Sequence, residues 1–405
     1  MEFNDVVYVG VSRKMKIAIV SPDDLSTLIF AKSISHFLES DSSIELVTIS
    51  PVDLYASEID KMPSRHIKVL MDRHISPLSD IKYFLDVYKI MRRERFDYVI
   101  TFTTKPNIYA APAAKLSGVS VVTMAIRGLG SVFNTQSTVK GKLLLGLVTK
   151  MYAFACLVSD HVWFTNKYDL KYFVSRSIAR SSKAILTKNA ISLKDFSWES
   201  INQNELSELK RELSIVDNDF IVILVGRLIR SKGILEYVES AVELYDEHPR
   251  IKFLLVAPEE TDSPESIDKE YILDAEKKSN LKWLGFRKDV RNLYALSNVS
   301  VLQSYYREGG YPRALLEPMA YGKPVIAGDT DFCRGPVEHG KNGYVIPVKD
   351  SKALSNAILK IESSQERQKK FGERSKKKVE LEFDDQATIR QMFTEIGLYD
   401  LLSVK

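Results

Sequence analysis

The sequence predicts an α/β protein made of two Rossmann-like domains, each a parallel sheet covered by helices, with a cleft between them. Three observations predict it. Short runs of β-branched and aromatic residues alternate with longer stretches of helical periodicity, the alternation stops in a polar stretch at 198–214, and it then begins again. Strand–helix–strand alternation implies crossover connections, which put helices on both faces of a parallel sheet. A length of 405 residues suits two domains of ordinary size. Ligands of such sheets sit at the carboxyl ends of the strands, and a substrate is expected between the domains.

In the first half, residues 17–20, 45–49, 66–70, 98–102, 119–124, 161–165 and 184–187 read as strands, bounded by Ser, Pro, Gly or Asn. Between them, 28–39 and 80–94 read as helices; in the second, Ile81, Phe84, Leu85, Tyr88 and Met91 recur at helical spacing. In the second half, 220–225, 252–256, 281–284, 299–303, 324–327 and 343–346 read as strands, and 351–405 is charged and mostly helical. Met15 stands just before the apolar run Ile17-Ala18-Ile19-Val20, so residues 1–14 read as a loose extension. The expected division is a first domain at 15–197, a second at 198–380, and a helical segment at 381–405 that can pack back on the first domain.

Lys and Arg total 57 against 53 Asp and Glu, a net charge of +4. That is too small for a nucleic-acid-binding protein of this length. Cys156 and Cys333 are the only cysteines, which excludes a disulfide framework or a Cys-built zinc site and fits a reducing cytoplasm. Glu2 and Asp5 come early with no long apolar run after them, unlike a signal peptide, and no stretch is apolar without interruption for the length of a membrane span. Residues 138–158 set Lys140, Lys142 and Lys150 among leucines and aromatics, and read as a core helix of the first domain. The alternative is an interfacial helix with its cations at lipid headgroups; Arg92, Arg93 and Arg95 are compatible with anionic lipid as well. The expected location is therefore the cytoplasm, with peripheral contact at the inner face of the membrane as the open question.

Chemistry concentrates in two segments. In the first, a buried strand ends at Gly226, and Arg227, Arg230 and Lys232 follow before a helix. Gly226 suits a tight turn. Arg227 offers a planar fork for two phosphate oxygens and Lys232 a mobile point charge, and the helix N-terminus adds partial positive charge. The combination suits a diphosphate; a solvated basic loop is the plain alternative. In the second segment, residues 304–324, a strand is followed by Glu308, a turn through Gly309 and Gly310, and a helix opening at Pro312. Glu317 falls in the second turn of that helix, and Pro318 predicts that the helix is kinked or short. Two carboxylates so placed suit the vicinal hydroxyls of a sugar and a ribose.

These two segments resemble the signature of glycosyltransferase family 4, retaining enzymes of the GT-B fold. The resemblance implies that Arg227 and Lys232 hold the diphosphate of a nucleotide sugar, that Glu308 contacts the transferred sugar, and that Glu317 holds the ribose hydroxyls. It extends to Trp283-Leu284-Gly285-Phe286, where family members meet the base, and to residues 338–343. One departure is visible: eight residues separate Glu308 from Glu317 where the family has seven, and Gly309 or Gly310 can absorb the extra one. In the first half, Arg127-Gly128-Leu129-Gly130-Ser131-Val132-Phe133 resembles an acceptor-facing loop, with Arg127 and Gly128 as candidate acceptor or phosphate contacts. Residues 160–166 and 189–192 also match, the latter with Ala190 and Ser192 in place of the usual Gly and Asp.

The resemblance implies a retaining transfer from a nucleotide-diphosphate sugar, a UDP-hexose or UDP-N-acetylhexosamine, to a growing glycan. The glycan would be carried on a polyprenyl diphosphate, for a surface polysaccharide such as a capsule or lipopolysaccharide. The leaving diphosphate, neutralised by Arg227 and Lys232, would take the acceptor's proton, so electrostatic stabilisation is the main catalytic term. No Asp-x-Asp triplet stands in a loop suited to a metal and the six histidines are scattered, so neither a metal nor another cofactor is expected. Two rivals remain at this point. A sugar-nucleotide epimerase of the same architecture would need acid/base groups that the first half does not clearly supply, and a non-catalytic sugar-nucleotide-binding partner draws support from the extra residue.

Overall fold

The computed structural model describes residues 13–72, 74–130, 133, 139–261 and 263–402. The described chain divides into two units, one running up to Thr187 and resuming at Ile389, the other spanning Lys188–Thr388. The expected extension at 1–14 lies outside the described residues except for Arg13 and Lys14.

In the first unit the strands are β1 (Met15–Val20), β2 (Ile44–Ser50), β3 (Arg65–Lys68), β4 (Tyr98–Phe102), β5 (Val121–Ile126), β6 (His161–Phe164) and β7 (Ala184–Leu186). They form one sheet in the order β3-β2-β1-β4-β5-β6-β7, with every neighbouring pair parallel. The helices are α1 (Asp24–Leu38), α2 (Ala56–Ile59), α3 (Pro77–Glu94), α4 (Ala111–Leu116), α5 (Val139–Val158) and α6 (Lys167–Ser175). Alternation along β1 shows how both faces are covered. Ala18 and Val20 pack in one cluster with Tyr83 and Val87 of α3, Ala113 of α4 and Tyr152 of α5. Ile17 and Ile19 pack in the other with Ala31 and Ile34 of α1.

The second unit holds β8 (Phe220–Val225), β9 (Ile251–Val256), β10 (Leu281–Trp283), β11 (Val299–Leu302), β12 (Val325–Gly328) and β13 (Gly343–Ile346). These too are parallel, in the order β10-β9-β8-β11-β12-β13. Its helices are α7 (Gln203–Glu212), α8 (Ile234–Glu243), α9 (Lys269–Glu276), α10 (Val290–Leu296), α11 (Arg313–Ala320), α12 (Asp331–Arg334), α13 (Ser351–Glu362) and α14 (Gln365–Glu382), and α15 (Asp385–Glu395) leads back to the first unit. Val222 and Leu224 of β8 face Tyr237 of α8 and Leu354 of α13, whereas Ile221 and Ile223 face Leu209 of α7 and Leu293 of α10.

The expected boundary at 197/198 falls ten residues too late, because 188–197 is bonded into the second unit. Ile191 donates its N–H to the Phe383 carbonyl at 3.0 Å, forms a bridge with Asp384, and is buried with Leu315 and Leu316. For the same reason the return to the first unit starts at Ile389 rather than at 381. From there Ile389, Met392, Phe393, Ile396, Leu398 and Leu402 are buried against Ile17, Ile19 and Phe102, finishing a face that α1 leaves partly open. Phe393 meets Phe37 edge-on, ring centroids 5.5 Å apart. Phe393→Ala should therefore cost about 3 kcal/mol or more. Hydrogen exchange should show the loss of protection in β1 and β2, more than three hundred residues away in sequence, while β8 and β9 stay protected.

Candidate active site

In the second sheet β8 lies between β9 and β11, so strand order reverses there, and the connections leaving the carboxyl ends of β8 and β11 run to opposite flanks of the sheet. Such a switch point leaves an opening between the two loops, where ligands of open α/β sheets bind. Both chemistry-bearing segments are those loops. They are tied to one another at the Ser231 carbonyl, which accepts from the backbone N–H groups of Tyr305 and Tyr306 at 2.9 and 3.0 Å.

Lys232 and Glu308 come together, Nζ to Oε1 at 2.5 Å, with both side chains largely buried. Ser304 donates its hydroxyl to the same carboxylate oxygen at 2.9 Å. Arg227 is more exposed, and its Nη1 lies 3.6 Å from Oε2 of Glu260. The ring of Tyr306 joins the two cations, with the Arg227 guanidinium 5.0 Å and the Lys232 ammonium 5.2 Å from its centroid. Gly226 does not supply the special turn that its position suggested, since it takes no positive φ. That role belongs to Gly233 (φ +77°), where a Cβ would stand 2.7 Å from the Gln303 carbonyl oxygen. Gly233 thus lets the short helical turn Arg230–Lys232 end against β11 and α8 begin.

A side chain is forbidden at Gly310, the second of the two glycines after Glu308. Its φ is +140°, and a Cβ would meet the Asn189 amide nitrogen at 2.5 Å. Asn189 in turn donates to the Tyr311 carbonyl at 3.0 Å, so residue 189 props the loop carrying Glu308 and Gly309. Pro312 lies one residue before the helix rather than at its first position, as an extended N-cap (φ −63°, ψ 127°). The helix α11 is short, as Pro318 predicted. Pro318 has no N–H for the Ala314 carbonyl, and the Ser300 hydroxyl supplies a donor there instead, at 3.3 Å.

Glu317 lies in the second turn of α11, buried, with Oε1 accepting from Arg313 Nε at 2.8 Å. Burial pushes its carboxyl above the ordinary value, and the Arg313 charge, that hydrogen bond and the Tyr294 hydroxyl oppose the shift. Arg313 is itself held by the Ala190 carbonyl at 3.4 Å. Phe286 is about half exposed on the loop after β10. That loop is fixed by Arg287, which reaches Glu212 at 2.7 Å and Asp289 at 2.6 Å. An Asp-x-Asp triplet does follow β12, but Asp329 is ion-paired with Arg334. Among the described residues no three His, Cys, Asp or Glu side chains gather as a metal site.

In the first unit Arg127 follows β5 and stacks its guanidinium 4.3 Å from the centroid of Phe30. Gly128 takes a positive φ of 117°. Ser131 and Val132 of the same loop lie outside the described residues, whereas Phe133 packs against Tyr152 and Tyr172. The helix expected at 138–158 packs one face into the core of the first unit, as its composition suggested, and leaves the other face exposed. Gly141, Val148, Tyr152, Ala155 and Cys156 are buried, but Val139, Leu143, Leu147, Phe154 and Leu157 are each more than half exposed. At 3.6 residues per turn these five and Lys150 fall within a sector of about 80°. By length and composition α5 could cross a membrane, yet its other face belongs to the domain core. Of the basic residues at the end of α3, Arg93 pairs with Glu94 at 3.1 Å.

Sequence reasoning missed Tyr306, Glu260, Asn189 and Arg313. Tyr306 and Arg313 lie within residues 304–324 and Asn189 within 189–192, but their roles depend on contacts that only the fold makes, such as the stacking of Tyr306 beneath two cations.

Residues 16–166 match the family described as glycosyl transferase 4-like, and residues 206–378 the family described as glycosyl transferases group 1. The chain is 27% identical to the UDP-Gal:alpha-D-GlcNAc-diphosphoundecaprenol alpha-1,3-galactosyltransferase of Escherichia coli, over 71% of this chain and 72% of that one. It is 24% identical to the N,N'-diacetylbacillosaminyl-diphospho-undecaprenol alpha-1,3-N-acetylgalactosaminyltransferase of Campylobacter jejuni, over 85% and 88%. The fold is the GT-B fold: HepE of Anabaena, solved in complex with UDP and glucose, superimposes with a TM-score of 0.74 at 16% identity, covering 95% of this chain and 99% of that one. With one domain match in each half, the chain belongs to the glycosyltransferases that join a 4-like N-terminal domain to a group 1 C-terminal domain.

Proposed function

We propose that this glycosyltransferase moves a hexose or N-acetylhexosamine, with retention, from a UDP-sugar to a polyprenyl-diphosphate-linked glycan during surface polysaccharide synthesis. The observation that carries the site is the convergence of Arg227, Lys232 and Glu308 at the switch point between β8 and β11. The names of the E. coli and C. jejuni relatives, both acting on undecaprenyl-diphosphate-linked sugars, support the acceptor class. In this reading Arg227 and Lys232 hold the diphosphate, whose developing charge they stabilise as the sugar leaves. Glu308 meets the sugar, Glu317 the ribose hydroxyls, and the loop of Gly285 and Phe286 the base. Arg127 and Gly128 face the acceptor. The diphosphate oxygen takes the acceptor's proton on the face it leaves, with no metal taking part.

We also assign α5 to the surface of an anionic bilayer. Its exposed apolar stripe is flanked by Lys140 and Lys142 and carries Lys150 within it, the pattern of a helix lying in the headgroup plane. The burial of its opposite face supports lying over crossing.

Calorimetry with UDP, GDP and ADP, without added metal, should show UDP binding most tightly. Glu317→Gln, which keeps the volume but leaves one acceptor oxygen, should weaken UDP about tenfold; equal affinity would sink the ribose assignment. Glu308→Gln should behave oppositely. It removes a negative charge beside Lys232, so UDP binds no more weakly, while transfer falls by about a hundredfold or more. Release of UDP that requires the acceptor separates transfer from epimerisation. For α5, the wild type should sediment with phosphatidylglycerol-containing vesicles at low salt, and the double variant Leu143→Glu, Leu147→Glu should not.

A further inference from the structure

We infer that Tyr306 is a positioning residue that pre-organises the two cations of the diphosphate site without cancelling their charge. This rests on the donor-site reading above. Arg227 and Lys232 are like charges five residues apart on one loop, and their mutual repulsion opposes convergence. Carboxylates could hold them, and two do: Glu308 at 2.5 Å from Lys232 and Glu260 at 3.6 Å from Arg227. A carboxylate, however, neutralises the field that an incoming diphosphate needs and must be displaced or repelled when it arrives. An aromatic ring attracts cations through its quadrupole and carries no net charge. Tyr306 offers that ring to both, at 5.0 and 5.2 Å.

The ring is itself held in place. Its backbone N–H donates to the Ser231 carbonyl at 3.0 Å and to the Ser304 hydroxyl at 3.2 Å, and Ser231 is the residue next to Lys232. The loop bearing the cations and the loop bearing the ring are thereby locked in register across the switch point. Ordering the cations before the ligand arrives lowers the cost of binding and of stabilising the leaving group.

The test is a mutant cycle on the full chain, read by calorimetry with whichever of UDP, GDP and ADP the wild type binds most tightly. Tyr306→Phe keeps the ring face and should bind within about twofold of wild type; Tyr306→Leu should bind about tenfold more weakly, with an unchanged melting temperature. In an Arg227→Met background the same leucine substitution should cost about threefold or less, because the ring acts through the cation that is gone. Tyr306→Met reads the same loss should the leucine variant not fold. A tenfold loss of equal size in both backgrounds, or a phenylalanine variant as weak as the leucine one, overturns the inference. So does a leucine variant that binds like wild type while Arg227→Met is impaired, and that result leaves the donor site standing. An Arg227→Met protein that binds as wild type overturns the donor site and the inference together.

Discussion

The pairing of β8 with β11, Val299 beside Val222 and Ser300 beside Ile223, is the constraint on which the candidate site depends. Because β9 takes the other edge of β8, the chain must leave β8 toward one flank and β11 toward the other. The gap this opens is a property of strand order and would exist with any side chains. What this sequence adds is a loop on each side with charge to place there, and backbone bonds at Ser231 that keep the two loops in fixed register. Displace that register and Lys232, Glu308 and Tyr306 separate together.

Electrostatics in the site are balanced rather than simply positive. Lys232 and Glu308 are each largely buried, and each makes the other tolerable there; a lone buried charge would be far more costly. Glu317 has a different solution, a buried carboxylate whose shift upward is opposed by Arg313 on the same helix. The segment 189–190 supports both arrangements, Asn189 by filling the space beside Gly310 and Ala190 by accepting from Arg313. This explains why residues just past the first sheet belong to the second unit: their hydrogen bonds are made there.

The first unit shows the complementary constraint. A parallel sheet exposes two apolar faces, and its own helices do not finish the one shared by Ile17, Ile19 and Phe102. The C-terminal residues from Ile389 onward finish it, which ties the end of the chain to its beginning. On the opposite side α5 does the reverse, contributing Tyr152 and Cys156 to the core while leaving Leu143 and Phe154 outside.

The thirteen strands among the described residues were legible in the sequence to within a few residues, since short β-branched runs between turn residues carry a local signal. The segment that carries Arg227 and Lys232 and the segment that carries Glu308 and Glu317 were legible as candidates, because their spacing resembles a known signature; the fold is what brings Lys232 to Glu308. Only the tertiary structure decided what depends on distant neighbours. Gly226 and Gly233 look alike in sequence, and the positive φ of the second together with the closeness of Gln303 makes it the one that must be glycine. The composition of α5 suited a core helix, and only packing showed which face had no protein to cover it. Tyr306 is one more aromatic in a tyrosine-rich chain until two loops from opposite flanks of a sheet bring Arg227 and Lys232 onto its ring. Local propensity is written within a few residues, whereas burial and charge are settled by the parts of the chain that folding brings close.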